Sequence, residues 1–166
     1  MTSEATPDQV DGIIAAWRAE RPDIDVSSVG VVSRIFRLGR HLQRVRRRRL
    51  EELGTDPVTV DVLATLRRSG PPYRRSAGEL SQSSLITSGG VSQRLRKLEA
   101  SGLVVRYPDV ADRRRVEVEL TPTGAELIDS IAASVLDHEA QLLGCLTSAE
   151  QETLQELLRK LLNHFE

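Results

Sequence analysis

The sequence predicts a mainly α-helical fold with one β-hairpin. Three observations predict it. Most of the chain repeats apolar residues at three- and four-residue spacing, the signature of amphipathic helices. Only residues 103–120 hold strand-like runs, with Val116-Glu117-Val118-Glu119-Leu120 alternating apolar and acidic at period two. The order is two helices, then helix–helix–helix–hairpin, then two more helices. Three short helices followed by a hairpin form a winged helix-turn-helix. The flanking helices find no partner inside that module, so a second copy of the chain is the economical place to bury their apolar faces.

The elements follow from local chemistry. Residues 6–20 read as a first helix: Thr6-Pro7-Asp8-Gln9 offers an N-cap, Pro at N1 and a capping-box Gln, and Ile13, Ile14 and Trp17 form one apolar stripe. Residues 26–53 read as a longer helix with Val31, Ile35, Leu38, Leu42 and Val45 on one side and Arg37, Arg40, Arg44 and Arg47 or Arg48 on the other. Asp56-Pro57 starts a third helix with Val60, Leu63 and Leu66 inside, stopped by Gly70-Pro71-Pro72. Ser76-Ala77-Gly78-Glu79 is a capping box for a short helix to about Ser83, and Thr87 to Ser101 is the next, closed by Gly102. Pro108 to Arg115 is a polar hairpin tip too long for a tight turn. Thr121-Pro122 opens a long helix to about Leu143, and Thr147-Ser148-Ala149-Glu150 caps the last, which carries Leu154, Leu157, Leu158, Leu161, Leu162 and Phe165. The expected division is therefore 6–53 for N-terminal helices contributing to dimerisation, 57–121 for the winged helix-turn-helix lobe and 122–166 for C-terminal dimerisation helices, within one domain of 166 residues.

Charge is segregated along the chain. The formal net charge is −1, yet residues 34–49 hold eight Arg and no acid. Residues 61–115 carry eleven basic against five acidic groups, and residues 116–166 two against ten. Phosphate binding depends on local positive potential rather than on the sum, although an Arg-rich face taken alone is equally an ordinary solvated one. No run approaches the 18 or so apolar residues of a membrane span, and Met1-Thr2-Ser3-Glu4 lacks the form of a signal peptide, so a cytoplasmic location with no membrane partner is expected. A single cysteine excludes an internal disulfide and a thiolate zinc cluster. His41, His138 and His164 are far apart, and no phosphate loop or nucleophile motif occurs. Neither an enzyme nor a cofactor or metal is expected.

On the helix from Thr87 to Ser101, Val91, Leu95 and Leu98 share one side, and Gly89, Gln93, Arg96 and Lys97 lie broadly opposite. Gln and Arg can pair bidentately with adenine and guanine, while Ser88, Ser92 and Lys97 suit phosphates. Gly89 and Gly90 cost helix stability but allow a close backbone approach. Arg113 and Arg114 at the hairpin tip suit a minor groove, with Asp112 orienting one of them.

These residues resemble the multiple-antibiotic-resistance regulator (MarR) family. The likeness rests on Thr87 to Glu99, then Gly102-Leu103-Val104, then Asp109 through Asp112-Arg113-Arg114, and on Leu120-Thr121-Pro122-Thr123-Gly124. The resemblance implies a homodimer that reads a pseudo-palindromic operator in duplex DNA, usually represses, and lets go when a small molecule binds. The extra first helix with Trp17, followed by Arg21-Pro22-Asp23 and Asp61-Val62-Leu63, is similar to the urate-responsive branch. That likeness implies a ligand set of Trp17, Asp61, Arg94 and Arg106, taking a small aromatic or carboxylate anion. The same residues have plainer roles: Trp17 as a packed aromatic, Asp61 as a first-turn acid, Arg106 as a phosphate contact. Arg94 lies about 60° off the apolar face of its helix and points along the flank.

Two other functions compete. A thiol-based oxidant sensor needs a reactive cysteine, but Cys145 sits beside Leu142, Leu143 and Leu146 and is expected to be buried and inert. A ligand-independent DNA-binding protein would lack a tight sequence-specific footprint.

Overall fold

The computed structural model describes residues 6–83, 88–108 and 116–165. The chain forms two compact units, Met1–Arg49 and Leu50–Glu166.

The N-terminal unit holds α1 (Gln9–Glu20) and most of α2 (Val29–Glu52). Asp8, not Thr6, caps α1: its carboxylate accepts from the amides of Val10 and Asp11 at 2.7 and 3.2 Å. The Asp11 carboxylate in turn accepts from the Asp8 amide at 2.8 Å. Two acids three residues apart thus close a capping box that leaves Thr6-Pro7 outside the helix. Arg34 of α2 reaches back to both acids, at 2.9 Å to Asp8 and 2.8 Å to Asp11. Hydrogen bonding from Arg34 lowers the Asp8 carboxyl to about 2. The expected apolar stripe is not a core here. Val10 is buried, whereas Ile13 and Trp17 are exposed, because α2 is the only helix of this unit available to cover them. On α2 itself Val31, Val32, Ile35, Phe36, Leu38 and Leu42 are exposed.

The second unit contains α3 (Pro57–Arg68), β1 (Arg74–Ser76), α4 (Ala77–Ser83), α5 (Ser88–Ala100), β2 (Val104–Pro108), β3 (Val116–Leu120), α6 (Pro122–Leu142) and α7 (Ser148–Leu162). Its core joins Val62, Leu63 and Leu66 of α3 to Leu80, Leu95 and Leu98, to Val104 and Val118 of the sheet, and to Ile128 and Ile131 of α6. The anticipated hairpin is β2–β3, with Arg106 opposite Val118. It has a third strand: β1 pairs antiparallel with β3, Arg74 opposite Glu119, giving the order β1-β3-β2. Three residues are too few for a period-two pattern to show in the sequence, and β1 exists because β3 offers it an edge.

Two glycines are fixed by geometry. Gly102 ends α5 at φ +70°, with its amide bonded to the Glu99 carbonyl and the Leu103 amide to the Leu98 carbonyl, both at 2.9 Å. That is the Schellman arrangement, and it turns the chain directly from α5 into β2. Gly124, in the first turn of α6, lies against the Leu103 carbonyl; a Cβ built there would sit 2.1 Å from that oxygen. The N-terminus of α6 is thereby seated on the start of β2. Arg67 adds a second tie between α3 and α6 through Asp129, at 2.8 and 2.9 Å.

At the far end, Thr147 and Glu150 form the expected capping box for α7. No residue of α7 is buried within the chain, and Leu157, Leu158, Leu161, Leu162 and Phe165 are exposed. Cys145 is exposed as well, contrary to expectation. It sits in the turn between α6 and α7, where its leucine neighbours are themselves only partly covered by the chain. No helix among the described residues is long and apolar enough to cross a membrane.

Candidate nucleic-acid interface

α5 is positioned by its apolar side. Leu95 and Leu98 are almost fully buried against α3, α4 and the sheet. With that side pinned, the helical period turns Ser92, Gln93, Arg96 and Lys97 outward, and all four are exposed. Ser88, Gly89 and Gly90 form the first turn of the same helix. α4, capped by Ser76 and Glu79 at 2.8 and 3.2 Å, precedes it and buries Leu80. A row of hydroxyl, amide, guanidinium and ammonium groups on one helix face can pair with base edges and phosphates together. Arg113 and Arg114, expected at the wing tip, and their orienting Asp112 lie outside the described residues.

The stem of the wing is braced on its outer face. Arg74 of β1 bonds Glu119 of β3 at 2.9 Å and lies 4.5 Å from the centre of the Tyr107 ring on β2. One cation thus ties all three strands. These residues were missed from the sequence because the brace depends on β1.

The four residues of the expected ligand set divide. Arg94 is half-buried and bonds Asp56 at 2.8 Å and the Thr59 hydroxyl at 3.4 Å. Arg106 bonds Glu99 through Nε at 2.8 Å, and its backbone amide reaches the same carboxylate at 3.3 Å. Hydrogen bonding from Arg106 holds the Glu99 carboxyl below its usual range. Among the described residues Asp61 makes no ion pair; it sits a full turn into α3, and the N-cap Asp56 and the α5 residue Glu99 are the acids that meet the guanidiniums. Nor is Asp61 a first-turn acid of α3, whose first turn holds none. Trp17 belongs to the N-terminal unit, on α1, and is 47% exposed there.

The MarR family model matches residues 53–115, the segment that spans α3 to the wing. The regulator PecS of Dickeya dadantii, an HTH-type transcriptional regulator, is 31% identical over 156 residues, covering 94% of each chain. The chain belongs to the MarR family. Members of this family are DNA-binding transcription regulators, not enzymes. Among solved structures, a mutant MarR from E. coli complexed with operator DNA superposes with a TM-score of 0.64 at 26% identity, covering 84% of this chain and 99% of that one. BpsR of Bordetella bronchiseptica, whose DNA binding is regulated by 6-hydroxynicotinic acid, gives a TM-score of 0.65 at 25% identity, covering 77% of this chain and 98% of that one. As a MarR-family regulator, the chain has α5 where a winged helix-turn-helix carries its reading helix.

Proposed function

We propose that the protein is a homodimeric repressor that reads a pseudo-palindromic operator and is released from it by a small aromatic or carboxylate anion. The observation that carries the DNA-reading part is the α5 face: Leu95 and Leu98 are buried while Ser92, Gln93, Arg96 and Lys97 are all exposed. Ser88, Gly89 and Gly90 at the helix start, and Arg113 and Arg114, which the sequence assigns to the segment between β2 and β3, complete the proposed contacts. The dimer is supported by apolar residues left uncovered at both ends of the chain, on α2 and on α7. Leu143, Leu154, Leu158 and Leu162 line an open groove between the α6–α7 turn and α7. Light scattering should give twice the 18.4 kDa chain mass. A persistent monomer at micromolar concentration defeats this part.

The effector class is supported by the similarity to BpsR, since 6-hydroxynicotinic acid is an aromatic carboxylic acid. The assignment of Trp17, Asp61, Arg94 and Arg106 to the ligand comes from the family resemblance. Trp offers a flat apolar face, and a guanidinium grips a carboxylate bidentately. An effector that takes Arg94 or Arg106 must displace the carboxylate of Asp56 or Glu99 that now holds it. The test is a gel shift on the region upstream of the protein's own gene, repeated with urate, hydroxynicotinic acids, phenolic acids and simple carboxylates. Release by an aromatic carboxylate or urate over the range that quenches Trp17, the only tryptophan, supports the reading. Unchanged DNA binding across the whole panel refutes the effector half and leaves the DNA-binding half standing.

A further inference from the structure

The Asp56 carboxylate does two jobs at once. Oδ1 accepts from the amides of Val58 and Thr59, at 3.1 and 3.2 Å, and so caps α3. Oδ2 accepts from the Thr59 hydroxyl at 2.9 Å and from the Arg94 guanidinium at 2.8 Å. The Thr59 hydroxyl also accepts from Arg94, at 3.4 Å, closing a triangle. Thr59 is itself nearly buried, and α3 behind it supplies Val60, Val62, Leu63 and Leu66 to the core. The carboxylate is thus oriented by a rigid helix, and it meets α5 on the flank between the buried leucines and the outward row.

We propose that Asp56 is a positioning residue for DNA reading: by holding Arg94 it fixes the rotation of α5 about its axis. The aim of Gln93 and Arg96, one residue before and two after Arg94, follows from that rotation. Apolar packing alone sets it loosely. Leu95 and Leu98 hold α5 down on the core, but dispersion and hydrophobic contacts are weakly directional, whereas a charge-assisted hydrogen bond is specific in distance and angle. The pair is part-exposed, with side-chain accessibilities of 28% for Arg94 and 37% for Asp56, so its effect on global stability is small. Its effect on the reading face is larger, because bidentate base contacts tolerate little angular error.

This inference rests on α5 being the reading helix. The test uses Asp56→Asn, Arg94→Gln and the double variant of the full chain. Asn caps a helix as well as Asp does, so the first variant removes the charge and keeps the cap. Each is titrated onto a footprinted duplex from the upstream region of the protein's own gene at several salt concentrations, beside an Arg96→Ala control. Each single change should weaken binding roughly three- to tenfold, and the double change no more than the worse single. The melting midpoint and the slope of log affinity against log salt should stay at parental values. Parental affinity in Asp56→Asn, or losses that multiply in the double variant, overturns the proposal. So does a salt slope shallower by about one in Arg94→Gln, which would put Arg94 on a phosphate instead. If Asp56→Asn melts well below the parent, Arg94→Gln decides alone through its affinity and salt slope. Unchanged binding in Arg96→Ala marks a failure of the reading helix itself, which is distinguishable from a failure confined to Asp56.

Discussion

Replacing Gly124 with alanine tests how the reading lobe is joined to α6. The added Cβ would lie 2.1 Å from the Leu103 carbonyl oxygen and 2.9 Å from Leu120 Cδ1. Both are well inside van der Waals contact, and the nearer atom is backbone, held by the Schellman turn at Gly102 and by the bond from the Thr121 amide to that same carbonyl at 3.1 Å. The oxygen cannot swing away as a side chain would, so α6 must shift by about an ångström or β2 must bend. Overpacking of this kind costs about 1–3 kcal/mol, occasionally more, and the severity of a backbone clash puts it near the top of the range, about 3 kcal/mol. Alanine returns about 1 kcal/mol through helix propensity. The net loss is about 2 kcal/mol, which lowers the melting midpoint of a chain this size by about 4–8 °C. Gly12→Ala is the control: it lies in α1 with nothing within 4 Å of its Cβ, and alanine there should hold or raise the midpoint. Thermal melts followed by circular dichroism at 222 nm read both. A Gly124→Ala protein that melts with the parent refutes the close approach of α6 to β2.

Three further outcomes are expected. Arg96→Ala should weaken operator binding by about 1–3 kcal/mol and relax base preference at one position per half-site, while Arg113→Ala should lose most on sites with a narrow minor groove; footprinting titrations in which neither matters refute the reading of helix and wing. Cys145→Ser should leave operator affinity and its response to peroxide unchanged, although the thiol is exposed, because its sequence neighbours Leu142, Leu143, Gly144 and Leu146 are all uncharged; loss of a peroxide response in the variant restores the oxidant-sensor reading. The Asp8 carboxyl is held at about 2 against an ordinary 3.8, so the stabilisation it lends to α1 is full above about pH 3.8 and is lost as pH falls toward 2; Arg34→Gln should return its titration toward 3.8, read by NMR of the side-chain carboxyl, and an unmoved midpoint shows that Arg34 does not hold it.

Local chemistry made much of the fold legible. Asp56-Pro57, Ser76 with Glu79, Thr121-Pro122 and Thr147 with Glu150 each start the helix they signal, and Gly102 ends α5. These signals succeed because a cap is satisfied by neighbours within three residues. What stayed hidden depends on distant partners. β1 is a strand only because β3 runs beside it. Asp8 displaces Thr6 as the cap of α1 partly because Arg34 rewards acids at that turn. Periodicity placed Arg94 on the flank of its helix correctly, but not its partner, since Asp56 and Asp61 both lie near the start of α3 and helical spacing cannot choose between them. Likewise, nothing local to Glu99 signals a role; its pairing with Arg106 arises from the turn at Gly102 that folds β2 back beside α5. Exposure of α7 and of the Trp17 stripe reflects the same limit: periodicity reveals an apolar face and is silent on what covers it.

The energetics of the lobe bear on how the proposed release can work. Tenfold weaker DNA binding requires about 1.4 kcal/mol of difference in effector affinity between two conformations. Moving Leu95 or Leu98 out of the core exceeds that, since emptying a buried leucine site costs about 2–5 kcal/mol. The Arg94–Asp56 and Arg106–Glu99 pairs are on the right scale, because part-exposed ion pairs contribute up to about 1 kcal/mol each. They flank α5 on two sides, one tying it to α3 and the other tying its last turn to β2. An anion that exchanges with one of these carboxylates leaves the apolar anchor intact and frees one edge of the helix. On the proposed reading, the α5 face then loses its aim while the apolar anchor stays in place, so the proposal separates release of DNA from unfolding of the lobe.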